Sequence, residues 1–479
     1  MYKEKSIKIN ALFNGIRSLM SILFPLITFP YCSRILGPES IGKLNFSQSI
    51  ISIFTILAGL GITPYAIREA AKVREDKKAL SKLVLELLTI NIISTFIAYI
   101  LFFSSILFIP KLYDYRSLLI LISLQILFTT IGMDWFYNAL EEFSYIAIRS
   151  VLFQIVSLIF MFLFVKTESD LYIYALITVF ASVGSNFINI LHSRKYINYQ
   201  LITLEIKKHL KPICILFFMT VMTSVYTILD NTMLGFLSSD YYVGLYTAAS
   251  KINKIVITLI TSVTYVLLPR LSNYIEKNNI REFNKLVNDA FEFIICFAFP
   301  CVIGLSVIKD LIIYFFAGEN FFNAISIMTV LNPIILIVGV SSFIASQVLI
   351  PLNKEKHVLL GVSVGAIINF SLNIILIRKF QAVGAAVSSL IAEFIVAIVL
   401  ICMVKDIIDF KRQLKAFFIY GANSIIMGVA VVIVRRFISN NLVAILCSVL
   451  IGFLIYLLLL LIERNDFMYS FFVRRKKNY

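Results

Sequence analysis

Apolar runs of about 20 residues, each long enough to cross the roughly 30 Å hydrocarbon core of a bilayer as a helix, recur fourteen times along this chain. They span 11–33, 44–66, 83–109, 117–138, 143–165, 171–191, 212–237, 245–268, 286–306, 324–350, 357–377, 382–404, 416–434 and 442–462. Inside lipid every backbone polar group must be satisfied within the protein, and continuous runs of this length are met only by helices. The expected fold class is an all-α polytopic membrane protein with about 14 transmembrane helices. Composition agrees, because a soluble chain with 60% hydrophobic and 15% charged residues would aggregate. The connections are short and leave no room for a soluble domain. Met1 to Asn10 is charged and leads directly into the first run, so no cleavable signal is expected.

A formal charge of +16 raises the question of a polyanionic partner. With the N-terminus placed in the cytoplasm and the runs alternating, 29 of the 43 lysines and arginines fall inside, 10 outside and four within spans. That is the positive-inside bias. Both termini are therefore expected on the cytoplasmic side, the excess charge is topological, and nucleic-acid binding is set aside. Cysteines 32, 214, 296, 301, 402 and 447 lie in apolar runs and read as small core hydrophobes, with no disulfide or metal site. Histidines 192, 209 and 357 sit at span edges and form no cluster. No cofactor is expected.

An internal repeat is visible. Gly42 opens the second run and Arg68 follows it; Gly244 opens the eighth and Arg270 follows that. Both ends carry a proline, Pro64 and Pro269, and the two copies are offset by 202 positions. Six spans separate them, and an even number preserves orientation, so the halves are expected to be parallel repeats. The domains expected are an N-terminal lobe at 1–200, a C-terminal lobe at 201–410, and two extra helices with a basic tail at 411–479.

Polar residues at helical spacing mark four spans. The first carries Asn10, Asn14, Arg17 and Ser21, and the second Asn45, Ser49, Ser52 and Gly59. The seventh carries Thr220, Thr223, Thr227 and Asp230, with Asn231 beside them, and the eighth Thr247, Lys251, Lys254, Thr258, Thr261 and Tyr265. Steps of three and four put each set on one stripe. Ser, Thr and Asn alone commonly bridge helices by hydrogen bonds. A cation within a span is costly unless it faces water, protein or a bound anion. The expectation is a polar cavity lined by Arg17, Lys251 and Lys254 against one acid, Asp230. Net positive lining favours an anionic substrate, and the fork of an arginine suits phosphate oxygens. Asp230 either neutralises a lysine or binds a coupling ion.

The other acids within spans are Glu86, Asp134, Glu292 and Glu393. Asp134, Glu141 and Glu142 lie around the end of the fourth span, close in sequence to Arg149, and a structural ion pair is expected there. Pro25, Pro30, Pro300 and Pro333 are expected to bend their helices. Gly361 and Gly365 form a GxxxG that reads as close helix packing.

Several blocks in order resemble the polysaccharide (O-antigen or capsule) repeat-unit flippases of the Wzx type. They are Arg34-Ile-Leu-Gly-Pro-Glu-Ser-Ile-Gly42 with Asn45-Phe-Ser, Gly61, and Arg68-Glu-Ala-Ala, followed by Asp134-Trp-Phe-Tyr-Asn-Ala-Leu-Glu141. Leu229-Asp-Asn-Thr-Met-Leu-Gly235, Val243-Gly-Leu-Tyr246 and Gly384-Ala-Ala-Val-Ser complete the set. The resemblance runs from the first span to about the twelfth. It belongs to the wider superfamily of multidrug, oligosaccharidyl-lipid and polysaccharide exporters.

The resemblance implies two six-helix lobes, alternating access, and the bacterial cytoplasmic membrane as location. The cargo it implies is an undecaprenyl-pyrophosphate-linked oligosaccharide, with a polysaccharide polymerase and other assembly proteins as partners. Arg17, Lys251 and Lys254, with Asn14 beside them, would hold the pyrophosphate or an acidic sugar. Arg68 and Arg270 would either gather the incoming head group or serve as positive-inside anchors. The drug exporters of the superfamily typically carry an acid in the first span, where this chain has Arg17. Alternatives are a lipid II flippase, a drug or cation exporter, and a membrane polymerase or ligase. The last is disfavoured because the longest outside connection, 307–323, is short and no nucleophile–base constellation appears.

Overall fold

The structure, a computed structural model, describes residues 7–198 and 203–463, with the side chains of residues 7, 8, 11, 219, 223, 225, 226 and 265 outside the description. The stripe members Thr223 and Tyr265 and the basic segment 464–479 therefore lie outside the described residues. All regular structure among the described residues is helical. Large apolar side chains such as Phe96, Phe108, Ile367 and Phe453 are exposed, as lipid-facing positions must be. The chain is a multi-pass membrane protein.

By length and composition ten helices can cross a membrane, or twelve if two bent pairs each count as one span. The expected fourteen is reached only by dividing two long helices at internal breaks. Glu355–Met403 contains one residue with non-helical dihedrals, Gln381 at φ 53°. On either side of it Asn369 donates to the Ser389 hydroxyl over 3.4 Å. Twenty residues of straight helix would separate them by about 30 Å, so this element is a hairpin. Gly361 faces Leu400 across the two arms, the close packing expected of the GxxxG. The helix Ile7–Gly59 breaks in the same way at Gly37, φ 71°, where the left-handed region suits glycine. Pro25 and Pro30 stay inside the helix, so the reversal comes from Gly37, and the expected proline bends do not cause it. Pro300 likewise lies within Ile280–Val307. Pro333 does sit at a 40° bend, between Ala324–Leu331 and Ile334–Leu349.

Contacts divide the chain into two units, 1–244 and 245–479. The helix Lys207–Leu237 packs on Ile7–Gly59 and falls within the first. In this unit Gly42 and Gly244 meet reciprocally. A Cβ on Gly42 would collide with the carbonyl oxygen of Asp240, and one on Gly244 with that of Pro38. Each glycine thus opposes the residue four before the other, which is the signature of a two-fold crossing. The separations 38 to 240 and 42 to 244 both equal the 202-residue repeat offset.

Buried polar groups pin the segment entering Lys207–Leu237. Glu86, 1% exposed, sits 2.8 Å from His209 Nε2 and 3.2 Å from Lys208 Nζ, and accepts the Glu205 N–H. The other ring nitrogen of His209 is 2.7 Å from the Tyr65 hydroxyl. In the connection itself, hydrogen bonds from Lys82 and Lys208 hold the Glu205 carboxyl below its ordinary range.

The second unit centres on Ile280–Val307, which packs against Phe410–Arg435 and Ile334–Phe343. Arg412 ties the first two together, donating to Glu292 at 2.9 Å and Asp289 at 2.7 Å while Tyr420 donates to Glu292 at 2.9 Å. Removing Arg412 leaves the Glu292 carboxylate, 11% exposed, with only the Tyr420 hydroxyl among the described residues. We predict that Arg412→Ala lowers stability by about 2–4 kcal/mol, read by denaturation of purified protein, and that Arg412→Lys recovers part of the loss.

Candidate functional site

Arg17 lies a third of the way along the first arm of the Ile7–Gly59 hairpin, and its side chain is 37% exposed. Its acidic neighbour is Asp134. One guanidinium nitrogen stands 3.9 Å from Asp134 Oδ2, an ion-pair distance too long for a hydrogen bond. The other carboxylate oxygen is tightly held, receiving Arg149 Nη2 at 2.8 Å and Asn189 Nδ2 at 3.2 Å. The Arg149 side chain is only 4% exposed. The Asp134–Arg149 pair is therefore the expected structural one, and Asn189 is itself held by the hydroxyls of Tyr145 and Tyr137. One buried arginine thus balances Asp134, and Arg17 remains a loosely paired cation within a span.

The rest of the stripes divide by chemistry. Hydroxyls and amides mostly satisfy carbonyls of their own helix: Ser21 donates to Ser18, Asn45 to Ile41, Ser52 to Gln48, Thr220 to Leu216 and Thr258 to Lys254. That is the bridging and back-bonding use. Asn14 is exposed and Asn10 buried. Asp230 is half-buried on Lys207–Leu237 in the first unit. In the second unit Lys251 is half-buried and Lys254 exposed on Asp240–Tyr265, while Thr247, at 2% exposure, is core. The stripe there runs from buried to exposed along the helix.

Arg68 and Arg270 lie near the ends of the apolar helical stretches Leu12–Val73 and Asp240–Glu276. Each lies on a short amphipathic helix after a break, Ile62–Val73 and Leu268–Glu276. Both are exposed, and Arg68 is 3.1 Å from the adjacent Glu69.

The second unit also contains an apolar cavity of about 520 Å³ between Ile280–Val307, Phe410–Arg435 and Asn441–Ile462. Phe293, Phe297, Met427, Gly452 and Phe453 line it. Its size falls in the 300–1,000 Å³ range of small-molecule sites, and its lining suits hydrocarbon.

Residues 7–275 match the family described as "Polysaccharide biosynthesis protein". The chain belongs to that family. A curated relative is the "Putative O-antigen transporter" of Escherichia coli (strain K12), 22% identical over 413 residues, which cover 84% of this chain and 97% of that protein. Among solved structures the chain is similar to "Lipid II flippase MurJ, inward closed conformation", with TM-score 0.77 at 21% identity, covering 96% of this chain and 100% of that one. An inward-facing multidrug resistance transporter of the MATE family and MOP superfamily aligns with TM-score 0.62 at 14% identity over 85% and 98% of the two chains. At these identities the structural matches establish a shared fold. Within the matched range, Asp134-Trp-Phe-Tyr-Asn-Ala-Leu-Glu141 builds the corner that faces Arg17.

Proposed function

We propose that this protein is a flippase. It moves an undecaprenyl-pyrophosphate-linked oligosaccharide repeat unit across the bacterial cytoplasmic membrane by alternating access, with both termini in the cytoplasm. The observation that carries this reading is Arg17, a half-exposed arginine within a membrane helix of a polysaccharide biosynthesis family member. An arginine at the centre of a span costs about 2.5–3.5 kcal/mol on insertion scales and one nearer its end costs less; for Arg17 a carboxylate 3.9 Å away that already binds Arg149 offsets only part of that cost. A pyrophosphate supplies the missing negative charge. Arg17 and Asn14 in the first unit, and Lys251 and Lys254 in the second, engage the anionic part of the cargo. Arg68 and Arg270 stand where an incoming head group is gathered. Asp230 balances charge or takes a coupling ion. The apolar cavity of the second unit offers an isoprenoid chain a place beside the bilayer. A polysaccharide polymerase is the partner that consumes the delivered unit.

Purified protein in liposomes tests this. A prenyl-pyrophosphate oligosaccharide labelled on its head group should become exposed on the opposite leaflet, and Lys251→Ala with Lys254→Ala should slow that exposure roughly tenfold or more. Organic-cation uptake without lipid movement would place the protein with the drug exporters and end the flippase reading.

A further inference from the structure

The first unit buries a set of ionisable groups that the cargo-binding role of Arg17 does not use. Glu86, 1% exposed, lies within Lys77–Phe108, and His209, 3% exposed, lies in the first turn of Lys207–Leu237. The imidazole uses both of its nitrogens. Nε2 is 2.8 Å from Glu86 Oε2, and Nδ1 is 2.7 Å from the hydroxyl of Tyr65 on Ile62–Val73. The other carboxylate oxygen of Glu86 accepts the Glu205 N–H at 2.8 Å.

Two charge states fit these same heavy-atom positions. A neutral ring donates from Nε2 to Glu86 and accepts the Tyr65 hydroxyl proton at Nδ1. A protonated ring donates from both nitrogens, and the Tyr65 hydroxyl turns its proton away and accepts. Histidine is the side chain that changes charge between about pH 5 and 8. The other acids nearby already have cations. Glu205 is held by Lys82 at 3.0 Å and Lys208 at 3.1 Å, and Glu69 by Arg68 at 3.1 Å and Lys72 at 2.9 Å. Lys208 and Lys82 also stand 3.2 Å and 4.0 Å from Glu86, with side chains 48% and 29% exposed. They bring solvent to within one side chain of the buried pair, which gives a proton its route in.

The position of His209 gives that proton something to act on. The two halves of its helix, Lys207–Met222 and Thr227–Leu237, meet at 60°. The first half is gripped at two places. At one, its backbone presses on Gly61, where a Cβ would come within 2.8 Å of Leu216 and Phe217 backbone atoms. The other is His209 itself. We propose that the His209–Glu86 pair is a proton-binding site and that the bound proton tightens the hold on the first half of this helix. A charged ring adds Coulomb attraction to the hydrogen bond at 2.8 Å, and a neutral ring leaves the hydrogen bond alone.

Hydrogen exchange of the full-length protein in nanodiscs tests this without reference to the cargo. After correction for intrinsic exchange, the amides of 203–217 should open about fivefold less often at pH 6 than at pH 8. His209→Gln and Glu86→Gln should each bring that ratio to one. Glutamine at 209 still donates to Glu86, so the helix stays seated, and unaltered exchange in Arg116–Gly132 shows that the variant is folded. His192→Gln combined with His357→Gln removes the other two histidines of the chain and should leave the ratio intact. A ratio near one in the unaltered protein overturns the proposal. So does a ratio that survives His209→Gln, or one that is lost with the other two histidines.

Discussion

Arg17→Ala should abolish translocation of the lipid-linked sugar, and with it surface polysaccharide, while protein level and membrane insertion stay normal. The expected loss is about a hundredfold in rate, because the paired charge-assisted hydrogen bonds of a guanidinium to a pyrophosphate contribute about 2–3 kcal/mol. Insertion should not suffer, since removing a charge from a span makes that span cheaper to insert. Stability should change little: Asp134 keeps Arg149 at 2.8 Å, and the 3.9 Å contact to a half-exposed Arg17 contributes at most about 1 kcal/mol. Arg17→Lys should retain part of the activity, as a point charge replaces a two-pronged fork. The readouts are leaflet exposure in liposomes and the amount of protein in the membrane fraction. Wild-type flipping rates in Arg17→Ala would remove this residue from the site.

Gly42→Ala and Gly244→Ala should each destabilise the protein by about 3 kcal/mol, at the upper end of overpacking penalties. At both positions the added methyl meets a backbone carbonyl of the opposing helix, and a carbonyl in a helix cannot turn aside as a side chain can. In a membrane, where helices gain nothing from expelling water, such close approach supplies much of their association. Gly15→Ala is the control, because a Cβ there meets nothing within 4 Å. It should be neutral or raise stability by up to about 1 kcal/mol through the better helix propensity of alanine. Thermal or denaturant unfolding of the three purified variants would decide. Equal effects at Gly15 and Gly42 would mean the reciprocal crossing is not a tight one.

Much of this protein was legible in its residues, for local reasons. Apolar runs of 20 specify membrane helices because lipid leaves the backbone no other partner. A 202-residue offset between two glycines anticipated the crossing that joins Gly42 to Asp240 and Gly244 to Pro38. The closeness of Asp134, Glu141 and Glu142 to Arg149 in sequence anticipated an ion pair there, and it is Asp134 that forms it.

Other features depended on distances that no periodicity encodes. That Arg17 stands beside Asp134, 117 positions further on, follows from the reversal at Gly37 and from the corner at Met133, two backbone dihedrals in the left-handed region. Helical spacing had offered Asp230 as the one acid of the basic cavity, set against a lysine or a coupling ion. The burial of Glu86 against His209, 123 residues away, is of the same kind. The stripes show the same boundary. Helical spacing placed Ser52, Thr220 and Thr258 on polar faces, yet their hydroxyls close onto their own backbones, a choice made by side-chain rotamers. Sequence alone determined a helical membrane protein and the positions of its intramembrane cations. Only the tertiary structure decided which of those cations is buried against an acid and which is left loosely held, because burial and pairing depend on how helices far apart in sequence approach one another.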